Sequence, residues 1–396
     1  MKQLSRAVCV GLGTVLSVSP AAAQPNWLSG YLQTVPLFTE ATPLSPSNVS
    51  DFNRFRLTLN PSWGPFLLET SYEQTLTVRQ QRTPDGFGLG GVPSGGEWLP
   101  LEGSFTDPDE QHVMWGHRLD RLNVTYSPSR TVDMTVGRQA VSWGTTLFLT
   151  PADPFLPFNP SDPFRQFRGG VDAARLRMYP GPLSAIDLVV RATETLEGEE
   201  VTALARGLTT WHNWEFSGWA GSLYGDPAVA VGSAGGIGAW AVRIEAVVRD
   251  VRGRLIGRGA LGLDRIFQIA GRDLFVVFEY QRDGLAAATP EAYLSRLMTP
   301  EFRRGELQVL GRDEAVAQAS YQVHPLWSLV GLTMWNLNDN SVLLSPSVSY
   351  NAGDATMVAG GVYFGFGDDA ITTTRPLPSE FGLAATTGYL SVSFFF

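Results

Sequence analysis

The chain has 396 residues, 44% of them hydrophobic and 17% charged, with 42 glycines, 26 prolines and a formal net charge of −9. Its one lysine is Lys2, so its positive charge is almost all arginine, and the acidic balance leaves no basic footprint for nucleic acid. The single cysteine, Cys9, excludes an intrachain disulfide framework and a thiolate metal cluster.

The N-terminus reads as a secretory leader. Lys2 and Arg6 precede an apolar stretch over 7–18, followed by Pro20, Ala21, Ala22 and Ala23, which predicts a signal peptide over 1–23 with cleavage after Ala23. The apolar stretch is too short to span a bilayer. Cys9 goes with the leader, and loss of Lys2 and Arg6 takes the formal charge from −9 to −11.

From Asn26 onward, polar and apolar residues alternate in runs of about ten, broken by turn residues. In 51–60, Arg54, Arg56, Thr58 and Asn60 share one face, and Phe55, Leu57 and Leu59 share the other. In 239–248, Arg243 and Glu245 oppose Trp240, Val242, Ile244, Ala246 and Val248. The polar set of 307–322 includes Gln308, Arg312, Glu314 and Gln318, with Leu310, Asp313 and Val316 breaking the alternation. One face would meet lipid and the other water. Residues 24–396 are therefore expected to form one all-β domain, a transmembrane antiparallel up-and-down β-barrel.

In chain order the strands are expected near 27–36, 51–60, 65–79, 112–127, 131–143, 171–178, 184–194, 200–212, 215–224, 228–234, 237–249, 259–268, 273–282, 306–322, 326–337, 341–350, 355–366 and 385–396. That makes about eighteen, or about sixteen if the first strand and the Gly-rich 228–238 region fall away. Parity tests the count, because short turns and long connections must alternate. Short turns at 61–64, 127–130, 180–183, 213–214, 235–236, 270–272, 323–325 and 351–354 fall on one side, the periplasmic side of such a barrel. The long connections, 80–111, 144–170, 283–305 and 367–384 among them, fall on the other. Trp63, Trp214, Trp219, Trp240, Trp327 and Trp335 lie near strand ends, as aromatic girdles require, with a lumenal place as the alternative for some of them, and 289–298 has the composition of a short external helix.

The last strand, GYLSVSFFF, sets Gly388, Leu390, Val392, Phe394 and Phe396 on one face. It resembles the C-terminal signal by which the barrel-assembly machinery receives bacterial outer-membrane barrels. Further elements resemble a poorly characterised, porin-like family of proteobacterial outer-membrane barrels. These are Ser29-Gly30-Tyr31-Leu32, Arg54-Phe55-Arg56-Leu57, and Gly137-Arg138-Gln139 followed by Trp143-Gly144, Pro151 and Asp153. The Gly-Arg-Gln element is also similar to one in alginate-export barrels. The resemblance implies a channel in the outer membrane of a Gram-negative bacterium, in contact with its lipids, and names no solute. A homotrimer is the assembly left open.

The segment 144–170 is the third long connection, and in general porins, which this architecture resembles, the third external loop bends into the lumen. Pro151, Pro154, Pro157, Pro160 and Pro163 recur every third residue and keep the segment out of helix and ladder, while Phe148, Phe155, Phe158, Phe164 and Phe167 are free to pack. It is the candidate pore-constricting loop; the alternative is a loop folded on itself above the barrel.

Strand phase puts Arg54, Arg56, Arg121, Arg175, Arg177 and Arg191 on the inner wall, joined by Arg138 if Gly137 marks a bulge. Asp153 and Asp162 in the loop, with Asp133 and Asp187 on the wall, are the carboxylates set against them. Such an arrangement either spans the constriction with a transverse field that favours anions or pairs off into bonds that stiffen the wall. Asp107, Asp109, Glu110 and His112 could together hold a divalent cation, although their surroundings suit a solvated loop. No catalytic, metal or cofactor site is expected. The function expected is passive diffusion of small hydrophilic solutes with a mild anion preference. The alternatives are a polysaccharide export or assembly barrel, and an outer-membrane hydrolase using His112 or His117 near the outer rim.

Overall fold

A computed structural model describes residues 27–80, 97–107, 112–155, 164, 167–195 and 198–396. The expected leader, 1–23, lies outside these residues. Among those described, eighteen long strands build the wall. The first nine are β1 (Leu28–Thr39), β2 (Asn48–Leu59), β3 (Phe66–Arg79), β4 (Val113–Ser129), β5 (Val132–Gln139), β6 (Val171–Gly181), β7 (Ser184–Thr195), β8 (Gly198–Trp211) and β9 (Trp214–Leu223). The second nine are β10 (Asp226–Ile237), β11 (Trp240–Val251), β12 (Arg254–Ile269), β13 (Arg272–Asp283), β14 (Asp313–His324), β15 (Trp327–Asn336), β16 (Val342–Gly353), β17 (Thr356–Phe366) and β18 (Thr387–Phe395).

Each strand pairs antiparallel with the next, and β18 returns to β1, with Tyr31 opposite Phe395 and Thr39 opposite Thr387. Phe396 completes the seam by exchanging two backbone hydrogen bonds with Gly30, where a Cβ would stand 2.6 Å from the Phe396 ring. Among the described residues the eighteen wall strands close on themselves without a free edge, which is the condition for strands to cross hydrocarbon.

Alternation decides the faces. In β11, Ile244 and Val248 are exposed while Glu245 and Arg249 are buried, and in β2 Arg54 and Arg56 are buried. On these strands the buried positions point inward, so the interior holds the charge and the exterior shows Val231, Leu255, Leu261, Leu329 and their like. An apolar exterior around a polar interior is stable with lipid outside, and closed barrels of this kind belong to bacterial outer membranes. Eight tight connections close one end. Two of them, His212–Asn213 and Ala270–Gly271, take positive φ at both residues, matching the twist of the flanking strands. The other end carries the long connections, including 140–170, 284–312 and 367–386.

The strand count and class agree with the sequence reading, and the disagreements are informative. The strand expected over 131–143 ends at Gln139, and the one expected over 306–322 starts at Asp313. The residues removed from both strands turn inward, where Val141, Trp143, Leu307 and Val309 are buried. The turn expected at 235–236 lies at 238–239, and β10 continues through Gly235. Glycine is needed there because the Trp214 ring covers it, at 2.2 Å from any Cβ, so the Gly-rich run marks a close approach. Trp219 belongs to no girdle; it is buried inside the barrel. The expected external helix is present as a 3-10 turn, Pro290–Ala292, leading into a helix, Tyr293–Leu297.

Candidate functional site

Gly137 begins the departure of the third long connection from the wall. Its φ is 117°, and a Cβ would meet the Leu122 carbonyl at 2.2 Å, so only glycine fits. The ladder to β4 stays in register, Leu122 opposite Arg138, yet Arg138 and Gln139 are both buried, which ends the period-two pattern. From there the chain becomes a strap inside the barrel. Val141, Trp143, Ala152 and Phe155 pack with Val189, Leu204, Trp219, Leu223 and Val247 of β7 to β11. Leu149 and Phe164 pack with Val35, Phe52, Val316, Met334, Leu343, Tyr363 and Tyr389 of β1, β2 and β14 to β18. One connection thus joins two apolar clusters on different parts of the wall.

Polar contacts follow the same path. Trp143 Nε1 donates to Asp187 at 3.2 Å, and Trp219 Nε1 donates to the Ala152 carbonyl at 2.9 Å. Glu245 of β11 accepts the N–H groups of Thr145 (2.6 Å), Thr146 (3.2 Å) and Ala152 (2.9 Å). Glu279 of β13 accepts those of Leu147 (2.6 Å), Phe148 (2.9 Å) and Leu149 (2.9 Å). Gln308 accepts from Thr150 N–H and donates to the Phe148 carbonyl, both at 2.7 Å. On the far side Arg54 donates to the Phe164 carbonyl at 2.6 Å, and the Arg56 guanidinium lies 4.5 Å from the Phe167 ring centre.

Arg54, Arg56, Arg121, Arg175, Arg177 and Arg191 are inside, and their partners are mostly neighbours on the same wall. Arg138, expected inside if Gly137 marked a bulge, stays in phase with the exposed Val136 and is buried beneath Leu99 of the second long connection. Arg54 lies 3.9 Å from Glu73, and Arg56 bridges Glu73 (3.2 Å) and Asp120 (2.8 Å). Arg121 pairs with Asp120 at 2.8 Å and reaches the Arg168 carbonyl at 2.6 Å. Arg138 grips Asp172 with two bonds of 2.8 Å. Arg175 and Arg177 share Asp187, and Arg191 donates to the Tyr224 hydroxyl at 3.0 Å.

The loop carboxylates were expected to face this wall, and Asp153 does not. It accepts from Ser142 and from Arg168 of its own connection, because the strap turns back on itself between them. Asp133 accepts from Ser127 and Tyr179 rather than from an arginine. Asp162 lies outside the described residues.

Residues the sequence reading did not single out include Glu73, Asp120, Asp172, Glu279 and the Arg249–Arg258–Arg304 group. Arg249 and Arg304 both pair with Glu306, Arg258 pairs with Asp283, and the Tyr224 ring lies beneath Arg249 and Arg304. Strand phase alone places Glu73 inward, whereas Asp120 joins its neighbour Arg121 inside only through a bulge in β4, where Leu119 faces Tyr72 and Arg121 faces Ser71. Nothing local announces that Glu306 folds back to meet β11.

The long connections also meet one another. Glu380 of 367–386 accepts from the N–H groups of Leu310 and Gly311 and from Asn336, and burial pushes its carboxyl up to about 7. Of the residues considered for a divalent cation, Asp109 and Glu110 lie outside the described residues, and His112 is hydrogen-bonded to the Arg79 carbonyl. Among the described residues no group of His, Cys, Asp and Glu is arranged to hold a metal. His117 packs against Trp115 and Tyr72.

No family model matches the chain, and no curated protein is similar in sequence. The fold has clear counterparts. OpdQ of Pseudomonas aeruginosa superposes with a TM-score of 0.56 at 10% identity, covering 93% of this chain and 98% of its own. A BenF-like porin from Pseudomonas fluorescens Pf-5 gives 0.54 at 10% identity, with the same coverage. Pseudomonas aeruginosa OpdK, in its complex with vanillate, gives 0.51 at 9% identity, again covering 93% and 98%. The architecture is that of outer-membrane porins of the Occ and Opd type. This likeness lends nothing to the resemblance of Gly137-Arg138-Gln139 to alginate-export barrels.

Proposed function

We propose that this chain is a porin-like channel for small hydrophilic solutes, with a preference for anions, in which the 140–170 strap narrows the lumen. The observation that carries this reading is a closed barrel crossed internally by its own third long connection. The preference for anions rests on local charge. Asp187 on β7 lies in register between Arg177 on β6 and Arg206 on β8, and it also serves Arg175. These three guanidinium groups outnumber the two carboxylates that face them, Asp187 and, beside Arg206, Glu215 of β9, while Asp153 is held by Arg168, and the Arg177 side chain is 36% exposed. Arg206 adds an aromatic face, its guanidinium 5.9 Å from the Trp143 ring centre. Vanillate, the ligand of the OpdK complex, is an aromatic carboxylate, and that class suits an arginine pair beside an indole. A polysaccharide track would need a wide polar lumen, whereas two apolar clusters meet at the strap.

The test is conductance and reversal potential of the purified protein in a planar bilayer under a salt gradient. Ohmic conductance with anion preference is expected, and Arg175→Ala with Arg177→Ala should move the reversal potential toward cation selectivity. Absence of conductance would overturn the channel reading; an unmoved reversal potential would overturn the role of these arginines.

A further inference from the structure

Glu245 and Glu279 stand out among the interior carboxylates because they take six hydrogen bonds from peptide N–H groups of the strap. Both side chains are buried, and the strand residues beside them, Ile244 and Phe278, are exposed on the lipid side. The two glutamates sit two strands apart, roughly 10 Å at the usual inter-strand spacing, which is the reach of the few strap residues they hold. Five consecutive amides, 145–149, turn to this one side, and a sixth, Thr150, is taken by Gln308.

Only an ionised carboxylate suits that task. Its two oxygens offer about four acceptor sites and no donor, so three N–H groups can converge on each side chain. A glutamine of the same shape would turn an NH2 group toward peptide N–H groups and leave at least one without an acceptor. Apolar packing could hold the strap's side chains but could not fix its backbone at a set distance from the wall.

We infer that Glu245 and Glu279 are positioning residues that set the distance of the strap from β11 and β13, and through it the width and steadiness of the channel. Gln308 locks the distal end of the same segment. This rests on the reading of the strap as the constriction. The pair that fixes the passage is thereby anionic, on a different part of the wall from the arginines that favour anions.

The experiment uses the full chain with a spin label at Leu147→Cys, whose side chain is partly exposed and whose N–H is held by Glu279. Cys9 is the only natural cysteine, so in a Cys9→Ser background the label reports the strap alone. In E245Q, E279Q and the double variant, the label should pass from an immobile to a mobile spectrum, and single-channel conductance should rise with added open-state noise. Heat-modifiable migration on gels should show the barrel intact. An unchanged label and unchanged conductance in a folded double variant would overturn the inference. If the double variant does not fold, Gln308→Leu, outside the strands, carries the same test with the same two outcomes. If the unlabelled parent itself does not conduct, the channel reading fails, while the label still decides whether the glutamates hold the strap.

Discussion

Two stretches of the inner wall solve the same problem in different ways. On β2 to β7 the buried charges are arginines answered by carboxylates on the next strand, as in Arg56 with Glu73 and Arg175 with Asp187. On β11 and β13 the buried charges are Glu245 and Glu279, answered by the backbone of a distant segment. The first arrangement stiffens the wall and offers local excess charge. The second fixes what crosses the lumen. Both use inward positions of the same alternation, so phase says that a residue is inside and not what it is for.

Arg138→Met should have the largest effect on this contrast, because it leaves Asp172 buried with its charge uncompensated. A loss of about 3–5 kcal/mol is expected from urea titration in detergent, the cost of breaking one side of a buried pair. A loss under about 1 kcal/mol would mean the pair behaves as an exposed bridge and the first wall is not stiffened this way.

Glu380 extends the second arrangement to the external connections, since it too accepts backbone N–H groups. Its carboxyl titrates in the folded chain at about 7, above the usual carboxylate range, because of burial and of nearby Asp339. The folded form therefore holds the extra proton, and the stability it contributes is fully present below pH ~4.5, the ordinary glutamate range. That stability is lost as pH rises through about 7. Proteolytic nicking within 367–386 should increase between pH 6 and 8, and Glu380→Gln should flatten the dependence; a flat profile in the parent would remove Glu380 from this comparison.

Arg282→Ala should do least. Arg282 bonds Asp313 at 2.7 Å, but its side chain is 61% exposed, so water replaces the partner. No measurable shift in the unfolding temperature is expected, and a clear drop would show that charges outside the interior also stiffen the wall.

Much of the wall was legible because its grammar is local. Arg54 and Arg56 read as inward from their spacing alone, and the final aromatic strand read as a barrel strand from nine residues. The strap was legible only in part. Its prolines and phenylalanines marked it as a segment that must pack, while its partners Glu279 and Gln308 lie more than a hundred residues away. The break in the alternation near Leu310 is the trace of a segment leaving the sheet before the strand begins at Asp313.

Period-two patterning and turn chemistry act between neighbours, so they were enough to specify class, a strand number of about eighteen or sixteen, and the sidedness of the connections. Pairing of charges inside a closed wall depends on which strands come round to face each other and on which connection falls between them. The excess of arginine beside Asp187, the inward fold of 306–312 and the grip of Glu245 and Glu279 on the strap were therefore settled only when the barrel closed on its third long connection.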